Sequence, residues 1–236
     1  MEVKQDFETY LFLSKNKISI SVFEIETLKN IYFEEKDYDV IENNSEFENL
    51  KNFLDENILK IEINFKKFVK KINLILENNE FLKVQLSIKK DNYTNEISKD
   101  ELVYLLSEAK DDCKKTINNN KIIHMIIDNY FIDNNIYSTI PDNLKCNLFS
   151  LDISFICLSE KLINEIEKIF KNYQISINYI QHSDYVKSFL KSENDDIFLM
   201  SMKLINGYNV NEVLIVPKIS KNKGFFERFL TYSVKS

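Results

Sequence analysis

Apolar and polar positions alternate from Tyr10 to Glu24 (YLFLSKNKISISVFE), broken once by the polar run Ser14–Lys17. That pattern predicts a strand, a tight turn and a second strand. Residues 29–34 (KNIYFE) predict a third strand, and the acidic, Asn-rich stretch 36–52 reads as a surface connection. Ile58, Ile61, Phe65, Phe68, Val69, Ile72, Ile75 and Leu76 recur at helical spacing, which predicts an amphipathic helix over 58–76. Its far side carries Lys66, Lys67, Lys70 and Lys71. Such a charge run is ordinarily a solvated face, and contact with an anionic partner is the weaker alternative. FLKVQLSIKK (81–90) alternates as a strand. Ser98 and Glu101 then stand at capping-box spacing and open a helix whose apolar face is Leu102, Val103, Leu105, Leu106, Ala109 and Cys113.

Residues 121–133 (KIIHMIIDNYFID) and 146–159 (CNLFSLDISFICLS) predict two further strands. A helix follows from Ser159 to about Tyr173, burying Leu162, Ile163, Ile166, Ile169 and Phe170. Residues 175–181 read as a short strand and 183–192 as a short helix. The run 196–217 (DIFLMSMKLINGYNVNEVLIVP) reads as a hairpin turning at Asn206–Gly207. The order βββ-α-β-α-β-β-α-β-α-ββ indicates an α/β architecture with mixed sheets.

Composition narrows the chemistry. The chain has 236 residues, 44% hydrophobic and 29% charged, enough for one or two globular domains. Its formal charge of −6 is uneven. Over 217–236 five basic residues, Lys218, Lys221, Lys223, Arg228 and Lys235, stand against Glu227, so an anionic partner is expected for that end only. The acidic body lacks the clustered positive charge that phosphate neutralisation needs, and no nucleic-acid partner is expected. Cys113, Cys146 and Cys157 are scattered without a C-x-x-C, which points to reduced cytosolic thiols. The first ten residues have no apolar core of a signal peptide, and no run approaches the ~18 apolar residues of a transmembrane helix.

Glycine is the sharpest exclusion. There are two, Gly207 and Gly224, so no Walker loop, G-x-G-x-x-G or G-x-S-x-G is present. His124 and His182 have no partner at metal-ligand spacing and read as a strand and a loop histidine. Asp128 and Asp133 flank a strand segment and receive no role, and Cys157 reads as a buried structural thiol. No catalytic, cofactor-binding or metal residue is assigned, and no enzyme activity is expected.

The stretch 98–133, ending HMIIDNYFID, resembles the actin-like cell-division protein FtsA. That family has a helix followed by a strand of the pattern V-L-H-V-I-P-Q-E-Y-x-I-D. His124, Tyr130 and Ile132–Asp133 stand at its histidine, aromatic and I-D positions. Residues 159–196 resemble the helix, strand and short helix that follow, and pilus-assembly relatives carry a similar module. The resemblance covers most of 10–216.

The resemblance implies a partial actin-like (ribonuclease H-like) subdomain over 1–81, an inserted FtsA-type interaction subdomain over 82–177, a return at 178–216 and a basic tail at 217–236. The second actin-like lobe, which completes the nucleotide site and docks FtsZ in that family, has no counterpart in the sequence. The first phosphate loop falls on Phe12–Lys17, where only Lys17 matches and Phe12 replaces the metal-side acid. The second falls near Ser201–Ile205, without acid or glycine. No ATP is expected to bind.

Members of that family end in an amphipathic membrane helix. Here Phe225, Phe226, Phe229, Leu230 and Tyr232 share one helical arc, with Lys221, Lys223 and Arg228 beside it. The resemblance thus implies a non-enzymatic division adaptor, peripheral on the inner face of the cytoplasmic membrane. Its partners would be division proteins such as FtsZ and anionic lipid, with self-association to reinforce a weak anchor. The rivals are an actin-like ATP-binding protein and a cytosolic interaction module of pilus-assembly type with the tail packed on its core.

Overall fold

The computed structural model of the protein describes residues 7–38, 46–91, 98–133, 135–140, 146–192 and 195–213. Its elements in chain order are β1 (Phe7–Leu13), β2 (Lys17–Glu24), β3 (Asn30–Asp37), α1 (Glu46–Phe65), β4 (Lys71–Leu76), β5 (Leu82–Asp91) and α2 (Lys99–Thr116). There follow β6 (Asn120–Ile132), β7 (Asn135–Tyr137), β8 (Leu148–Ser159), α3 (Glu160–Asn172), β9 (Ser176–His182), α4 (Ser183–Lys187) and α5 (Ile197–Ile205). The architecture is mixed α/β with two sheets, and the chain divides into two compact units, 1–80 with 160–206 and 81–159 with 207–236. The chain re-enters the first unit at Glu160, ahead of the 178 read from the sequence, because α3 packs with α1 of that unit.

The first unit holds a five-stranded sheet in the order β3-β2-β1-β4-β9. β2 alone runs against the others, since it is antiparallel to both β1 and β3 while β1, β4 and β9 are parallel. That order and these directions are the ribonuclease H-like arrangement expected of an actin-like half lobe. Strand side chains alternate between faces, and β3 shows which helices cover which face. Tyr32 donates its hydroxyl to Asn57 on α1 at 2.7 Å, while the ring of its neighbour Phe33 meets Phe198 on α5 edge-on at 6.3 Å. Phe7 likewise meets Phe65 of α1, and Phe12 lies beneath Lys187 of α4. The sheet is therefore sandwiched, with α1 and α3 on one face and α4 and α5 on the other.

Four readings need correction. The helix read over 58–76 is the end of α1 followed by β4. Ile72, Leu74, Ile75 and Leu76 are all buried because β4 is a central parallel strand covered on both faces. A strand of that kind loses its two-residue alternation, and its apolar run continued the helical register by coincidence. Lys66, at φ 52, ends the helix in the left-handed region. The stretch read as a surface connection contains the first turns of α1, from Glu46, while 39–45 lie outside the described residues.

Of the run read as a hairpin over 196–217, Ile197–Ile205 is the helix α5, and 214–217 lie outside the described residues. Asp196 accepts from the amides of Phe198 and Leu199, an N-cap that satisfies donors the first turn cannot. Phe198, Met200, Met202 and Leu204 are buried, so IFLMSMKLI carries no polar stripe to betray its period. Gly207, at φ 86, follows the Asn206 cap, so Asn206–Gly207 closes a helix instead of turning a hairpin. The short helix read over 183–192 is confined to α4, and β7 had no counterpart in the sequence reading.

The second unit is an antiparallel sheet in the order β5-β8-β6-β7. Phe149, Leu151, Ile153, Phe155 and Cys157 alternate along β8 into a core with Leu102, Leu105, Leu106, Ala109 and Cys113 of α2. The capping box is formed: Glu101's amide donates to Ser98 Oγ, and Ser98's amide donates to Glu101 Oε2 at 2.8 Å.

Candidate functional site

β1, β4 and β9 run parallel and end together at Leu13, Leu76 and His182. The carboxyl ends of parallel strands are where open α/β sheets receive ligands. A cleft of about 730 Å3 lies there, within the first unit. Its floor includes Phe12, its walls include Phe33, Leu190, Ile197 and Phe198, and its polar rim is Ser14, Asn16, Lys17, Glu35, Glu77, Lys187, Asp195 and Asp196.

Each cation of the rim is already engaged. Lys17 Nζ lies 2.7 Å from Glu35 Oε1, and Lys187 pairs with Glu77 while standing 5.7 Å above the Phe12 ring. Glu77 is fixed from behind, because its amide donates to Leu13 O at 2.8 Å. The β1–β2 turn is closed on itself. Ser14's amide donates to Lys17 O, and its hydroxyl lies within 3.1 Å of both Lys17 O and Asn16 Oδ1. None of these turn residues has positive φ, so no nest of backbone donors faces the cleft. Asp195 accepts from the amides of Lys191 and Ser192 and from the Ser192 hydroxyl, which holds its carboxyl below its ordinary range.

The group implied by an actin-like half lobe is a nucleoside triphosphate with Mg2+, and these residues do not fit it. Phe12, 8% exposed, stands where the metal-side acid belongs. A buried aromatic edge offers a cation and its phosphates nothing in exchange for their water. Lys17, the one residue matching the first phosphate loop, is turned onto Glu35. The segment matching the second loop, Ser201–Ile205, is helical, and the buried Ser201 hydroxyl bonds to Gln181 on β9. A helix interior has no free amides to cradle phosphate.

The other residues singled out in the sequence serve structure in the second unit. His124 Nδ1 lies 2.7 Å from Glu212 Oε1, both side chains buried, where Glu212 bridges to Ile126 at the edge of β6. Asp128 accepts from Ser154, and Asp133 accepts from the amides of Asn147 and Leu148. Burial pushes the Cys157 thiol up to about 12 and raises that of Cys113, so neither is a ready nucleophile. His182, in the first unit, lies 3.7 Å from the Asp184 carboxylate. Among the described residues no three His, Cys, Asp or Glu side chains gather as a metal site. Phe225, Phe226, Phe229, Leu230, Lys221, Lys223 and Arg228 lie outside the described residues. Glu77 and Lys187 were not seen in the sequence, since reading β4 as helix hid the strand end that places Glu77.

No protein-family model and no curated protein matches the chain. Several solved structures do. A Bacteroides thetaiotaomicron protein with an actin-like ATPase fold and unknown function matches at 12% identity and TM-score 0.37, over 78% of this chain and 55% of that one. The cytoplasmic domain of EpsL, an inner-membrane component of the Vibrio cholerae type II secretion system, matches at 12% identity and TM-score 0.37, over 79% and 59%. The PilM–PilN type IV pilus biogenesis complex matches at 7% identity and TM-score 0.45, over 76% and 48%. The chain thus spans about half to three-fifths of the chains it matches. At these scores the fold rests on the strand order itself. No described helix is long and apolar enough to cross a membrane.

Proposed function

We propose that the chain is a non-enzymatic protein-interaction module, an actin-like half lobe whose strand-end cleft takes a protein segment in place of a nucleotide. The carrying observation is the state of that cleft. Lys17 and Lys187, the cations a polyphosphate would need, are held by Glu35 and Glu77, while Phe33, 52% exposed, faces an open groove of mixed apolar and charged lining. Such a lining suits an extended peptide with apolar anchors and charged flanks.

The setting we propose is a membrane-associated assembly. Phe225, Phe226, Phe229 and Leu230, with Lys221, Lys223 and Arg228, have the spacing of an interfacial helix, which would hold the module on the inner face of the cytoplasmic membrane. One short helix binds weakly, so several copies would act together. A secretion- or pilus-type assembly is placed ahead of cell division. His124, Tyr130 and Asp133, which carry the likeness to the division protein, are spent on bonds inside the second unit, so they speak for shared folding and not for FtsZ.

A photo-cross-linking amino acid at Phe33 in cells tests this. A discrete protein adduct is the expected result. Labelling of the cleft by a photoreactive ATP analogue, protected by ATP, would overturn it.

A further inference from the structure

The end of α1 is an exposed corner that is at once apolar and basic. Leu59, Ile63 and Phe68 are 61%, 64% and 73% exposed, while Ile58 and Ile61 on the helix's other side are buried. Leu59 and Ile63 stand one turn apart and share a face. Lys66, at φ 52, turns the chain out of the helix, and Val69's amide then donates to Glu62 Oε1 at 3.0 Å. That bond brings Phe68 back beside the last turn. Scattered exposed hydrophobics need no explanation, but three at one helix end, with a fringe of mostly basic charge, do.

The fringe is Lys60, Lys66, Lys67, Lys70 and Lys71, against Glu62 as the sole acid of 59–71. Among the described residues Lys60, Lys66, Lys70 and Lys71 are in no ion pair, although the chain as a whole carries −6. Nearby acids are committed elsewhere: Glu62 to Val69, Glu56 to Lys36, and Asp55 to the Tyr173 hydroxyl.

We propose that this α1–β4 corner docks on an anionic lipid bilayer. Leu59, Ile63 and Phe68 enter the boundary between headgroups and acyl chains, and the four unpaired lysines lie against anionic headgroups. The inference rests on the reading of the chain as a module of a membrane-associated assembly. A bilayer fits better than an acidic protein for two reasons. The apolar side chains stand out from a helix end and a turn, as entry into a soft surface requires. Lysines without fixed partners also suit diffuse surface charge better than defined carboxylates. With the tail the corner makes two signals, and stable attachment takes two where one is marginal.

Co-sedimentation of the full-length chain decides this, using vesicles of phosphatidylcholine with phosphatidylglycerol against phosphatidylcholine alone. Three variants are compared: Ile63→Ser/Phe68→Ser, Lys66→Gln/Lys70→Gln, and Phe225→Glu/Phe229→Glu in the tail. The expected result is that the first variant binds anionic vesicles about tenfold more weakly with an unchanged urea midpoint. The lysine variant should flatten the salt dependence, and the corner's effect should persist in the tail-variant background. Corner variants that bind like the parent, or equal binding to both vesicle types, overturn the proposal. So does a cross-linker at Asn64 that captures a protein while vesicle binding is unaffected. Failure here leaves the Phe33 adduct in place, whereas failure of the interaction reading removes that adduct and leaves vesicle binding.

Discussion

Glu101 acts twice at the start of α2. It closes the capping box with Ser98, and it receives Lys90 Nζ at 2.7 Å from the neighbouring edge strand β5. The Lys90 bond first, then those from the Ser98 amide and hydroxyl, hold its carboxyl down at about 2, against an ordinary 4.5. A carboxyl depressed in the folded state adds stability that is complete above the unfolded value and lost as pH falls through the folded one. Urea midpoints of the parent and Glu101→Gln should therefore differ at neutral pH, converge between about pH 4.5 and pH 2, and coincide below. A constant gap across that range would show that packing, not charge, is at work. This contact was half legible. Ser98-x-x-Glu101 could be read from spacing, but Lys90 comes from a strand that only the fold brings near.

At the scale of elements, the chain builds helix ends almost without glycine. α3 closes in a Schellman motif: Ile175's amide donates to Phe170 O, Gln174's donates to Lys171 O, and Gln174 takes φ 59. A side chain there opposes the left-handed backbone, so Gln174→Gly should raise stability by up to about 1 kcal/mol, seen as a higher urea midpoint with unchanged slope. A lower midpoint would mean that the Gln174 side chain contributes more than its backbone costs. Elements with one solvated face were legible. α2, α3, β5 and β8 show a clean period, because water on one side keeps polar residues in step. β4 and α5 were misread for the opposite reason. From Ile72 on KINLIL is buried, and IFLMSMKLI has Lys203 as its one exposed residue, so hydrophobicity barely records which way each residue points. Asp196 was the available signal for α5, as an N-cap before an apolar run, and the Asn206–Gly207 pair outweighed it.

For the whole molecule, the strand order β3-β2-β1-β4-β9 makes a ribonuclease H-like half lobe, and the carboxyl ends of its parallel strands place a cleft where open α/β sheets receive ligands. The expectation of a cleft without a glycine-rich loop comes from two glycines among 236 residues. What replaced that loop was not legible, since Lys17–Glu35 and Glu77–Lys187 join residues far apart in sequence. Surface pairs such as these contribute little stability, about 0–1 kcal/mol each. The most direct test is isothermal titration of Mg·ATP into the full-length chain. The account predicts no binding heat up to millimolar nucleotide, and saturable binding in the micromolar range would contradict it.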